Sequence, residues 1–160
     1  MIDRFLFDGD VRPEQTWQLA RWLHGRGVSE FTLTLLGLED RPTPFTDALA
    51  ARLEPFRLPS AEREHASAWR ANELIRGTEL WKLCPETIDL LAEAFDDGLF
   101  TYPAGEWDVG CIEDPTFYRE GRMVLGIVSH EREGVLRLSE EEHREVAARG
   151  IPTREAPEWI

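Results

Sequence analysis

Three short apolar runs, Thr116 to Glu120, Arg122 to Glu131 and Val135 to Leu138, lie close together with minimal turns between them. No other stretch constrains the chain as much. In the middle run Met123, Leu125 and Ile127 alternate with Val124, Gly126 and Val128, so both faces are apolar. Successive side chains of a strand point to opposite faces, and a strand apolar on both is buried on both. The run predicts the central strand of an antiparallel meander. The turn Arg119-Glu120-Gly121-Arg122 places glycine where a two-residue hairpin needs positive φ, and Arg132-Glu133-Gly134 suits a three-residue loop with glycine at the bulge.

The segments before the meander alternate in type. Phe5-Leu6-Phe7 is a short strand ended by Asp8-Gly9-Asp10, and Pro13 with Glu14 opens a helix to about Gly25 that presents Trp17, Leu19, Ala20 and Leu23. Phe31, Leu33 and Leu35 then alternate with Thr32, Thr34 and Leu36 as a strand, completing a β-α-β unit. After the loop from Gly37 to Pro42, Thr43-Pro44 starts a short helix that Pro55 stops. An alanine-rich helix is predicted over Ala61 to Arg76 and a short strand over Glu79 to Leu83. Pro85 opens the best amphipathic helix, which buries Ile88, Leu91, Ala92 and Phe95 and is ended by Gly98. Leu99 to Tyr102 and Trp107 to Ile112 read as extended. Ser139 to Glu142 is a capping box that opens a last helix to Gly150. The expected fold is α+β: a single domain over residues 1–151, with a C-terminal antiparallel β-meander, an N-terminal β-α-β unit and covering helices, then an irregular tail over 152–160.

Composition narrows the function classes. A chain of 160 residues, 42% hydrophobic, suits one domain with a proper core. Its formal charge of −13 repels phosphate backbones and anionic lipid and attracts basic partners, so direct nucleic-acid binding is not expected. No apolar run approaches the ~20 residues of a membrane span, and Met1-Ile2-Asp3-Arg4 does not open like a secretory signal. A cytoplasmic protein without membrane association is the expectation. Cys84 and Cys111 sit beside apolar residues without metal-ligand spacing and are read as reduced core thiols. No cofactor motif is present.

Glu86, Asp89, Glu93 and Asp96 recur every three or four residues on the face opposite Ile88, Leu91 and Phe95. No lysine or arginine lies within that helix to pair with them, so like charges repel by ~0.2 to 0.5 kcal/mol per close pair unless a partner relieves them. A solvated face that serves solubility is the bland reading; a docking surface for a basic protein is the functional one. In size, charge and architecture the chain resembles bacterial immunity proteins, which inhibit cognate toxins, and a non-enzymatic protein-binding module of that kind is the preferred reading. A structural or adaptor domain would share these features.

Other constellations are weaker. Glu62-Arg63-Glu64-His65 and Glu140-Glu141-Glu142-His143 are both Glu-x-x-His patterns, the building block of di-iron sites in helical bundles, but the meander argues against a bundle and acids favour the first turn of a helix in any case. Phe5-Leu6-Phe7-Asp8-Gly9-Asp10 resembles the first motif of haloacid-dehalogenase-type phosphotransferases. That resemblance covers six residues and implies Asp8 as nucleophile and Asp10 as acid/base in a magnesium-dependent phosphohydrolase. Thr34, Lys82 and Asp96-Asp97 are the companions it would need, although Asp96-Asp97 closes a helix where the family's pair follows a strand. A strand end running into a turn of Asp and Gly explains the same residues. Ser129 and His130 are strand neighbours facing opposite ways and cannot form a nucleophile-base pair. Cys111 lacks a signature for a partner base, His24 lacks a second metal ligand, and the six tryptophans show no stacking period.

Overall fold

A computed structural model of the protein describes residues 1–36, 44–61, 63, 75–100 and 111–155, with only the backbone described at 35, 36, 75–78 and 111. In chain order the elements are β1 (Ile2–Phe7), α1 (Pro13–Gly25), β2 (Glu30–Leu36), α2 (Pro44–Leu53) running into a 3₁₀ turn (Glu54–Phe56), β3 (Ile75–Lys82), α3 (Pro85–Ala94), β4 (Cys111–Arg119), β5 (Arg122–Val128), β6 (Glu133–Leu138), α4 (Glu140–Ala148) and β7 (Arg154–Glu155). The strands form one antiparallel sheet in the order β3-β2-β4-β5-β6-β1-β7. The fold is a single α+β domain.

Among the described residues β5 is the fourth of seven strands, and Met123 to Val128 are all buried. The two-sided apolar pattern thus marks the middle of the sheet. β4, β5 and β6 are consecutive and adjacent, as a meander requires. β1 and β2 run parallel to one another, since each neighbouring pair between them is antiparallel, but β4, β5 and β6 separate them. The N-terminal β-α-β unit is therefore a wide crossover into whose gap the meander inserts.

Three aromatic side chains lie in one row across the sheet. Phe31 pairs with Trp81 on one side and Phe117 on the other, with ring centroids 5.6 Å and 6.1 Å apart. The row continues through Leu125 and Leu136. These residues share a single core with Leu19, Ala20 and Leu23 of α1, Leu49 and Leu53 of α2, Ile88 and Leu91 of α3, and Val146 of α4. Removing that apolar surface from water, at about 25 cal/mol per Å², is what holds the helices to the sheet. A smaller cluster of Leu80, Tyr118 and Met123, with Leu58 against it, contains the Tyr118 hydroxyl, 3.1 Å from Thr32 Oγ1.

The first meander turn forms as expected, and several other local expectations are corrected. The first meander turn has positive φ at both Glu120 (52°) and Gly121 (75°), which matches the twist of the flanking strands. In the second hairpin the loop is Ser129 to Arg132, and the left-handed residue is Arg132 (φ 56°). Gly134 lies inside β6, opposite Ile127 and Leu6. It is glycine because of packing: a Cβ there would stand 2.6 Å from Ile127 Cδ1 and 3.3 Å from Phe100 Cε1. The helix expected over Ala61 to Arg76 loses both ends, since Ala61 and Arg63 are not helical and Ile75 opens β3; residues 64–74 lie outside the described set. α3 stops at Ala94, four residues before Gly98, whose φ of 92° and 3.0 Å approach to Pro13 Cα exclude a side chain. The tail is not wholly irregular, because Arg154 and Glu155 pair with Phe5 and Arg4. The loop over 37–42, Trp69, Trp107 and the extended stretches at 101–102 and 107–110 fall outside the described residues.

Candidate functional site

α3 lies in the helical layer with α1 and α2 and touches both. Its start is fixed by Thr87, whose Oγ1 accepts from the Cys84 N–H at 2.9 Å, while Pro85 occupies a first-turn position that needs no donor. Ile88 and Leu91 face the core, and Glu86, Asp89, Glu93 and Asp96 are exposed. The expected division of the helix into an apolar and an acidic face is present.

The acidic face is not without counter-charges, however. Arg21 of α1 reaches Asp89 at 2.9 Å, and Arg52 of α2 grips both oxygens of Glu93 at 2.9 and 2.7 Å. The hydrogen bond from Arg52 holds the Glu93 carboxyl below the usual carboxylate range. The premise that all four carboxylates repel one another unrelieved is thereby corrected: the helix contains no cation, but its neighbours supply two. Glu86 is also lowered, first by its own backbone N–H and then by the Cys84 thiol. Asp96 lies past the helix end and accepts from the Asp97 N–H at 3.0 Å. Glu86, Asp96 and Asp97 have no arginine partner among the described residues.

Asp8 and Asp10 follow β1, as the strand-then-turn reading required, and both are engaged. Asp8 pairs with Arg132 of the β5–β6 loop, and Asp10 with Arg154 of β7 at 2.5 Å. Two of the companions proposed for a phosphohydrolase, Thr34 and Lys82, are not brought to them. Thr34 is buried on β2, four strand spacings or about 19 Å from β1. Lys82 pairs with Glu30 and so lies at the opposite end of the strands. Among the described residues no three metal-ligating side chains converge.

Ser129 and His130 lie in the β5–β6 loop and not on the strand where they were expected, and there they part. Ser129 is buried against Asp114, whereas His130 is exposed beside Glu131 at 3.4 Å. Burial, and then the hydrogen bond and charge of Glu131, push the neighbouring Glu133 carboxyl up. Of the Glu-x-x-His patterns, Glu62 and His65 lie outside the described residues. Glu140 is exposed at the start of α4, while His143 is buried with Nε2 2.8 Å from the Ile2 carbonyl. Cys84 is a free, buried thiol.

A cleft of about 710 Å³, unforeseen in the sequence, opens where β1, the start of α1, α4 and residues 150–153 meet. Arg4, Arg12 and Arg144 line it, with Asp10, Glu140, Gln15 and His143. Its parts are contributed from positions up to about 150 residues apart, so no local motif could reveal it. Comparisons with known protein families, with curated proteins and with solved structures returned no match. Among the described residues no helix is long and apolar enough to cross a membrane.

Proposed function

We propose that the protein is a non-enzymatic binding module that docks a basic protein partner through an acidic surface centred on the exposed face of α3. The observation that supports this is the arrangement of Glu86, Asp89, Glu93 and Asp96 on one exposed face, where Arg21 and Arg52 offset only two of the four. A net charge of −13 adds a field that steers a cationic partner toward the molecule. The two cross-helix pairs also fix the positions of Asp89 and Glu93, so less side-chain freedom is lost on docking. The partner class that fits best is a basic toxin that this protein neutralises.

The experiment is affinity capture at two salt concentrations. Steered acidic-to-basic binding weakens as the Debye length falls from ~30 Å at 0.01 M to ~8 Å at 0.15 M. A partner held equally at both salts contradicts the proposal. The toxin reading is tested by co-expressing the protein with any toxin-like product of a neighbouring reading frame; growth restored by the protein supports it, and undiminished toxicity removes that identification.

A further inference from the structure

The cleft beside α4 differs from the surface around it. In a chain carrying 31 acidic and 18 basic side chains, it gathers three guanidinium groups from three separate elements: Arg4 of β1, Arg12 at the start of α1 and Arg144 of α4. Their intramolecular partners are few. Arg144 has no ion-pair partner among the described residues. Arg4 makes one 3.4 Å contact with Glu155, which is 84% exposed, and Arg12 is 70% exposed with Glu14 at 3.2 Å. Of the two lining carboxylates, Asp10 is already paired with Arg154, and Glu140 is exposed at the start of α4.

The walls are built rather than incidental. Gln15 is buried, and its amide nitrogen donates to the Gly150 carbonyl at 2.6 Å. Its amide oxygen accepts from both the backbone N–H of Arg12 (2.9 Å) and the Arg12 Nε–H (3.3 Å). One side chain thus ties the start of α1 to the end of α4 and orients the Arg12 guanidinium. His143, also on the lining, is anchored to the backbone of β1. It is 4% exposed, and because the Ile2 carbonyl can only accept, Nε2 must carry the proton of that 2.8 Å bond. Nδ1 is left buried with no partner. In the neutral ring Nδ1 is an acceptor, so it does not hold an oxyanion, which falls to the guanidinium groups alone.

We infer that this cleft binds a small molecule bearing an oxyanion, a carboxylate or a phosphate, held by Arg4, Arg12 and Arg144. A planar guanidinium offers paired N–H donors that match either anion, and the volume lies within the range of small-ligand sites, about 300 to 1,000 Å³. This site is on different elements from the α3 face and stands or falls independently of it.

The test is an NMR titration of the isotopically labelled protein with inorganic phosphate, with succinate and with uncharged glycerol, each at millimolar concentration. Phosphate or succinate is expected to shift the resonances of Arg12, Gln15, His143 and Arg144 saturably, and glycerol is not. Preference for phosphate points to a phosphate ester as the natural ligand, and preference for succinate to a carboxylate. Arg144→Glu and Arg12→Glu should each weaken binding at least about tenfold with an unchanged far-UV spectrum. Arg57→Glu, remote from the cleft, should bind as the parent does. No saturable shift with either anion overturns the inference, as does unchanged affinity in both cleft variants.

Discussion

Ser129 and Asp114 hold one another through two reciprocal hydrogen bonds: the Ser129 N–H donates to Asp114 Oδ1 at 2.8 Å, and the Asp114 N–H donates to Ser129 Oγ at 2.9 Å. Both residues are fully buried. Asp114 has φ 53° and sits where the pairing of β4 with β2 slips by one residue, so the clasp fixes a bulge in β4 to the end of β5. Asp114→Ala strands a buried N–H and puts alanine in a left-handed conformation, at about 2 to 4 kcal/mol. Ser129→Ala is expected to cost about 1 to 2 kcal/mol. Asp114→Asn keeps an acceptor and tolerates positive φ, so chemical denaturation should rank it the mildest of the three. If asparagine proves as costly as alanine, the charge and not the clasp matters.

The start of α4 should respond to acid. Arg119 donates to Glu142 at 2.6 Å, and the second oxygen of Glu142 accepts from the Ser139 N–H at 2.9 Å in the capping box. With the Arg119 hydrogen bond the largest cause, the carboxyl is lowered to about 2. Its ordinary value in an unfolded chain is about 4.3, so the stabilisation is present above that pH and is lost as pH falls from about 4.3 toward 2. Allowing for solvent screening, Glu142→Gln should lower stability at pH 7 by on the order of 1 to 3 kcal/mol. The gap between variant and parent should close as pH approaches 2. Urea midpoints that coincide already at pH 7 would contradict this.

Packing against Gly134 gives a third prediction. Because an added Cβ would meet Ile127 Cδ1, Gly134→Ala should destabilise by about 1 to 3 kcal/mol through overpacking. Ile127→Val removes the clashing carbon, so the double variant should recover part of that loss. Strict additivity of the two changes in thermal unfolding would show that the two positions are not coupled in this way.

The parts of this fold that could be read from the sequence are those whose cause is local. Alternation at Met123 to Val128 reports two-sided burial, Gly121 marks a hairpin, Ser139 and Glu142 form a capping box, and the spacing of Ile88 and Leu91 reveals the inner face of α3. Parts set by distant neighbours could not be read this way. The positive φ at Asp114 and Arg132 falls on residues that give no glycine signal. Gly134 looks like a turn residue and is instead a packing residue, a distinction that depends on where Ile127 and Phe100 lie. The acidic stripe was legible as a face, but its counter-ions come from Arg21 and Arg52, 68 and 41 residues away. The cleft was invisible because Arg4, Arg12 and Arg144 meet only once the sheet order is known.

The α3 surface is tested most directly by the affinity of a captured basic partner for the parent protein and for the quadruple variant Glu86→Gln, Asp89→Asn, Glu93→Gln, Asp96→Asn. All four side chains are exposed, so the variant should keep the parent's circular dichroism spectrum and melt at nearly the same temperature. Titration calorimetry at 0.15 M salt, where the Debye length is ~8 Å, should then show Kd raised at least about tenfold, with the larger loss at lower salt. An unchanged Kd, or no partner captured even at low salt, would contradict the assignment of this face as a docking surface.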